Sequence, residues 1–220
     1  MTAAGDSKAR RYSEAAAPDR EMMTRCIAVA VHSGHEGEYP YGVVICRDGA
    51  VVAESTNRVA HEHDVTRHAE VVAISQAQKA LGKVSLDDCM IYINAEPCVY
   101  CCYAIRESRI SRVVYGLRSP HMGGVSKWKV LTDDDLSDTM PEVFDPPPTI
   151  IAGLMAQEAE RALLKWNPLV WGVIMKRGLF TVGPIETVRT REPDADPEHK
   201  LRRRLLTFLR RTVFDRFGRS

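Results

Sequence analysis

Short β-prone runs alternating with stretches of helical period predict a layered α/β domain in this 220-residue chain. Three observations support that prediction. Two β-prone runs flank Asp48-Gly49, a pair that closes tight hairpins. Two later apolar runs, 90–94 and 113–115, each follow a segment of helical period. Finally, 45% hydrophobic and 27% charged residues is the balance of a chain able to bury one core.

Residues 1–17 are rich in Ala, Ser and charge without a sustained apolar period, and read as a flexible leader. Behind Pro18 and Asp19, the residues Met22, Met23, Cys26, Ile27, Val29, Ala30 and Val31 recur at helical spacing, so a first helix runs to about His32. Tyr41 to Cys46 and Val51 to Ala53 are the hairpin strands. From Glu70 to Leu81, Val71, Val72, Ile74, Ala77 and Leu81 follow a helical pattern closed by Gly82. Met90 to Asn94 reads as a buried strand, Cys98 to Glu107 as a helix and Val113 to Tyr115 as another strand. Ile150 to Trp166 reads as one long helix with Ile151, Leu154, Met155, Ala159 and Leu163 on its apolar side.

The connection from Leu117 to Thr149, with Gly123-Gly124, Asp133 to Asp135 and Pro146-Pro147-Pro148, is long enough to suggest a functional loop. The folded domain is expected over residues 18–183, a polar linker over 184–199 and a basic tail over 200–220, whose Leu201 to Phe217 are loosely amphipathic.

That tail carries eight Lys or Arg against one acid, Asp215, whereas residues 1–199 hold 22 basic and 28 acidic residues. RNA binding of the usual basic kind would therefore depend on the tail or on a local patch. No apolar stretch approaches the roughly 18–20 residues that cross a bilayer, so no membrane partner is expected. The N-terminus lacks the apolar centre of a secretory signal, which points to a cytoplasmic location. Three of the six cysteines crowd into Cys98, Cys101 and Cys102, a pattern that suits metal binding or free thiols better than disulfides.

The chemistry concentrates in His68-Ala69-Glu70 and Pro97-Cys98-Val99-Tyr100-Cys101. Each set falls at the start of an expected helix, where unpaired amides and the helix dipole favour thiolate. An imidazole and two thiolates leave a tetrahedral zinc ion one open position, the mark of a catalytic site, with one Zn2+ per chain. Glu70 stands two residues from His68, close enough to shuttle protons without being a ligand. Helix geometry alone does not choose between Cys101 and Cys102 as the partner of Cys98. His-x-Glu followed by Pro-Cys-x-x-Cys is the signature of zinc deaminases.

With these motifs the chain resembles the cytidine-deaminase-like superfamily, in the branch of guanine deaminases and bacterial tRNA adenosine deaminases. The resemblance spans roughly residues 18–166. Tyr39-Pro40-Tyr41-Gly42-Val43-Val44-Ile45 looks like the branch's Pro-Phe-Gly-Ala stretch, and Asn57 within Ser55 to Val59 matches an Asn that contacts substrate. His63 to Glu70 is similar to Asp-Pro-Thr-Ala-His-Ala-Glu, and Ala95 to Cys101 to Glu-Pro-Cys-x-Met-Cys. Val65, Arg67, Tyr100 and Cys102 depart from those patterns. The resemblance implies a three-layer α/β/α fold with a mixed sheet of about five strands, Cys101 rather than Cys102 as ligand, an Ala69 amide that orients the ring, and a homodimer.

The function that follows as an expectation is hydrolytic deamination of a free nucleobase or nucleoside, a purine such as guanine. A tRNA adenosine deaminase is the first rival. A zinc-stabilised binding module is the second, and the presence of Glu70 argues against it, since a structural site has no use for that carboxylate.

Overall fold

The computed structural model of the chain describes residues 17–188 and Leu205. The leader, apart from Ala17, and most of the tail lie outside the described residues.

Helix α1 (Ala17–His35) is followed by the hairpin of β1 (Gly42–Arg47) and β2 (Ala50–Thr56). The two turn residues between the strands, Asp48 and Gly49, both take positive φ, as the twist of a tight hairpin requires. A short α2 (Val59–Glu62) leads to α3 (Ala69–Leu81), which ends on Gly82 in left-handed backbone. Next come β3 (Met90–Ala95), α4 (Val99–Glu107) and β4 (Arg112–Leu117), a strand-helix-strand unit whose two strands pair in parallel. The chain continues through α5 (Asp134–Thr139), β5 (Thr149–Ala152), α6 (Ala156–Trp166), α7 (Pro168–Lys176) and β6 (Glu186–Val188).

The strands form one mixed sheet in the order β2-β1-β3-β4-β5-β6, with β3, β4 and β5 parallel and the other pairs antiparallel. Helices α1 and α6 cover one face, and α3 and α4 the other. Alternate residues supply the two cores. Val43, Ile45, Ile91, Ile93, Val113, Tyr115, Ile150 and Ala152 point toward α3 and α4. Val44, Cys46, Tyr92, Val114 and Ile151 point toward α1, against Met22, Met23 and Cys26. Strands buried on both faces read as continuous apolar runs, which is why β1, β3 and β4 are visible in the sequence.

Among the described residues the sheet has six strands rather than about five. Ile150-Ile151-Ala152, expected as the first turn of a long helix, is instead β5, and the helix begins at Ala156. A short apolar run beside a helix has no period of its own that separates the two conformations. Here the Ile pair is drawn into the sheet because each member fills a different core. Glu186–Val188, within the stretch read as a polar linker, pairs with β5 as the edge strand.

Candidate active site

The sheet brings the motifs together at one edge. β3 ends at Ala95 and the chain turns through Glu96 and Pro97 into α4, so Cys98 stands at the carboxyl end of a parallel strand, where α/β folds place ligands. β1 runs antiparallel to β3, with Val43 opposite Ile93, which brings Tyr41 and Gly42 to the same edge. β2 returns antiparallel to β1 and delivers Asn57, whose backbone N–H donates to Tyr41 O at 3.1 Å. The Asn94 side chain pins this corner, accepting from Gly42 N and donating to Pro40 O, each at 3.0 Å.

His68 and Cys98 are the N-cap residues of α3 and α4, both with extended backbone, and Cys101 lies in the first turn of α4. His68 Nδ1 is 3.7 Å from Cys98 Sγ and 3.3 Å from Cys101 Sγ, and the two sulfurs are 3.6 Å apart. Ligand bonds of about 2.3 Å to sulfur and about 2.0 Å to nitrogen in a tetrahedral site separate such atoms by roughly 3.5–3.8 Å. The three distances lie within about 0.2 Å of that range, so the atoms are spaced to take one zinc ion with little movement. Cys102, left open by helix spacing, does not belong to this group: its thiol donates to Pro97 O at 3.4 Å and packs against Gly124.

The electrostatics suit a cation. Donation from the Cys101 thiol, together with the His68 ring, lowers the Cys98 thiol to about 4, whereas the Cys101 thiol is pushed up by its bond to Cys98 and by burial. His68 is raised, chiefly by its bond to Cys98. The Glu70 carboxyl is raised by burial and by the negative Cys98 beside it, against the pull of its own amide, His68 and Cys101. Ala69 is fully buried at the first position of α3, between the ligand and this acid.

These residues open on a cavity of about 310 Å3 lined by Tyr39, Tyr41, Asn57, Val59, His68, Glu70, Ala95, Glu96, Cys98, Ser119, Met122 and Phe180. His68, Glu70, Cys98 and Asn57 line this one cavity, and Cys101 is grouped with His68 and Cys98 beside it.

Several groups in and behind the cavity wall escaped sequence reasoning. Glu96, quoted only as part of a motif, is a buried carboxylate that accepts from Ser119 N, Val125 N, Ser126 N and Ser126 Oγ at 2.6–3.0 Å, and so folds the 118–126 loop into a wall. Gly123 and Gly124 permit this: a Cβ on Gly123 would lie 2.1 Å from Glu96 Oε1, and one on Gly124 2.1 Å from Cys102 Sγ. Phe180 arrives from beyond α7 on a segment fastened by Arg118–Thr181 backbone bonds and by Ser119 Oγ donating to Leu179 O at 3.1 Å. It stacks on Trp171 with ring centroids 5.8 Å apart. Glu38, 1% exposed, accepts from Asn57 Nδ2 at 2.9 Å. A lone Phe or Glu carries no motif, and no sequence signal announces any of these contacts.

Comparison with known proteins agrees with the geometry. The family described as the cytidine and deoxycytidylate deaminase zinc-binding region matches residues 16–117. A tRNA-specific adenosine deaminase of Agrobacterium fabrum is 40% identical over 104 residues, 47% of this chain and 68% of that protein. A guanine deaminase of Bacillus subtilis is 49% identical over 97 residues, 43% of this chain and 61% of that protein. The chain spans 26% of a longer relative in Deinococcus radiodurans, named tRNA(Ile)-lysidine synthase, at 31% identity. A solved structure from work on A-to-I editing by tRNA:A34 deaminases superposes with a TM-score of 0.59 at 32% identity, covering 65% of this chain and 99% of that one.

Proposed function

From a chain that belongs to the cytidine-deaminase-like superfamily of zinc deaminases, we propose a hydrolytic deaminase that replaces the exocyclic amino group of a free purine base or nucleoside, such as guanine, by oxygen and releases ammonia. The observation that carries this reading is the joint placement of His68, Cys98 and Cys101 at zinc spacing with Glu70 in the wall of the same cavity.

A zinc ion held by these three residues supplies Lewis acidity that makes water nucleophilic near neutral pH. Glu70 takes a proton from the attacking water and gives it to the departing amine, so one carboxylate serves as base and then acid. Its raised affinity for protons suits that exchange. Asn57 and the Ala69 amide hold the ring, and the wall built on Glu96, with Phe180 fastened beside it, shields the reacting carbon from bulk water. In Glu70→Ala, zinc content should stay at one per chain while turnover falls about 10²–10⁴-fold. Loss of the metal with the activity would make Glu70 a support of the site instead.

Two observations favour a free ring: the net acidic charge of residues 1–199, which repels a polyanion, and the identity to a guanine deaminase over the site-bearing segment. The basic tail and the identity to tRNA-specific adenosine deaminases favour the second reading, editing of adenosine in tRNA. Bases, nucleosides and tRNA assayed at two salt concentrations, with the intact chain and with residues 200–220 deleted, separate the two. Ammonia from guanine or a related ring, little changed by salt or deletion, is the expected result. Activity confined to tRNA and abolished by the deletion would establish the alternative.

A homodimer in the cytoplasm completes the proposal. The exposed apolar side chains Val99, Tyr100 and Tyr103 on α4 support the dimer, and light scattering on the purified chain tests it.

A further inference from the structure

We propose that Glu38 is a positioning residue that sets the polarity with which Asn57 meets the ring, turning the Asn57 carbonyl oxygen into the cavity as a hydrogen-bond acceptor. The proposal rests on the deaminase reading of the site, in which Asn57 touches substrate.

Glu38 sits on the loop after α1 and is buried, yet it is not among the residues that line the cavity. Its carboxylate is spent inside the protein. Oε1 accepts from Tyr39 N and Asn57 Nδ2, both at 2.9 Å, and Oε2 accepts from Ala60 N at 2.8 Å and His61 N at 3.0 Å. An ionised carboxylate has no proton to donate, so only the amide nitrogen of Asn57 can face it. Burial alone would raise the Glu38 carboxyl, but the bonds from Tyr39, His61, Asn57 and Ala60 together hold it below its ordinary value, which keeps it ionised at neutral pH.

With its nitrogen turned to Glu38, Asn57 has Oδ1 left for the cavity that the residue lines, and no described protein group donates to that oxygen. The partner that fits is an N–H on the edge of the bound ring. Guanine offers ring N–H groups as well as its amine, whereas the base of adenosine has no N–H apart from the amine that leaves. Glu38 thereby acts on substrate choice through Asn57 without touching substrate.

The test is a reciprocal exchange of amide and carboxylate. In Glu38→Gln the new amide oxygen stays with the Ala60 and His61 amides and its nitrogen faces Asn57, which must turn its own oxygen away from the cavity. kcat/KM should fall on the order of 10–100-fold, the range expected when a bound donor loses its acceptor, and the loss should lie mainly in KM. In Asn57→Asp two carboxylates are forced together, and activity should fall at least as far. In the double variant Glu38→Gln/Asn57→Asp the amide donates to the carboxylate and an oxygen again faces the cavity. Recovery to within about fivefold of the native enzyme is expected. A double variant no better than the weaker single variant would overturn the proposal.

A second readout does not depend on turnover. The chain has three asparagines, Asn57, Asn94 and Asn167, so selective 15N labelling resolves the Asn57 amide by NMR. Its protons should be protected from solvent exchange in the native protein and unprotected in Glu38→Gln. Equal protection in both would refute the role of Glu38 even if the protein deaminates nothing, whereas absence of ammonia release with the NMR difference intact would sink the deaminase reading alone.

Discussion

Glu96 is the residue whose loss should damage the site most without touching a zinc ligand. Glu96→Ala strands three backbone amides, those of Ser119, Val125 and Ser126, and the Ser126 hydroxyl. A buried donor left unpaired costs about 1–3 kcal/mol, so four of them bound the loss at roughly 4–12 kcal/mol. The Ser126 groups are only partly buried and regain water, which leaves Ser119 and Val125 with most of the penalty and brings the expected loss to about 3–5 kcal/mol. That is a large fraction of the roughly 5–15 kcal/mol that holds an ordinary domain together. Glu96→Gln should cost less, about 1–3 kcal/mol: its oxygen can keep the Val125 and Ser126 amides, its nitrogen can donate to the Ser126 hydroxyl, and Ser119 N alone faces a second donor. Urea unfolding of the three proteins measures both values. Glu96→Ala within about 1 kcal/mol of the native protein, or Glu96→Gln worse than Glu96→Ala, would refute the account of Glu96 as the organiser of the wall.

Other expectations concern the metal, the α1 anchor and acid. Cys98→Ala and His68→Ala should lose bound zinc and Cys102→Ser should retain it, as read by metal analysis of the purified variants. Asp19→Ala should destabilise the fold by about 3–5 kcal/mol in urea, because it removes the carboxylate that Arg112 meets at 2.7 Å where both side chains are buried. Glu38 binds its proton more weakly in the folded than in the unfolded chain, so its contribution is present above the ordinary carboxylate range and lost as pH falls through and below it. Glu38→Gln should start from lower stability at neutral pH and show a shallower acid limb in thermal unfolding.

The hairpin, α3 and the β3-α4-β4 unit were legible because each is specified locally. Asp48-Gly49 matches one turn type, Gly82 closes one helix, and the ligand residues fall at helix starts where their side chains converge. Tertiary choices were less visible. β5 was hidden because Ile150 and Ile151 satisfy a helix pattern and a buried strand equally well, and only the cores on both faces of the sheet decide between them. β6 is a polar edge, Glu186-Thr187-Val188, with no apolar run to reveal it. The choice of Cys101 over Cys102 came from resemblance and is accounted for by packing: the Cys102 thiol is turned to Pro97 O beneath Gly124. Glu38 and Glu96 were illegible for a common reason. Each binds backbone amides more than 20 residues along the chain, and an amide leaves no trace in the identity of its residue.

The proposed catalytic groups and part of the cavity wall are therefore written in different parts of the chain. The three candidate zinc ligands and the proposed proton carrier lie within residues 16–117, the segment matched by the deaminase family, and they converge because two helices start beside two strand ends. Ser119, Met122 and Phe180 line the same cavity from beyond that segment, held there by Glu96 and by the Arg118–Thr181 pairing. A relative that shares the first segment shares the means of attacking an amino-bearing carbon. Whether the ring arrives free or embedded in RNA depends on how closely the second set of walls shuts, since an embedded base must keep its sugar and phosphates in an open mouth. Here Phe180 is 5% exposed, stacked on Trp171 at the cavity, with the backbone of its neighbours Leu179 and Thr181 pinned on either side. On the proposed reading of the site, a wall so fixed favours a ring small enough to enter whole.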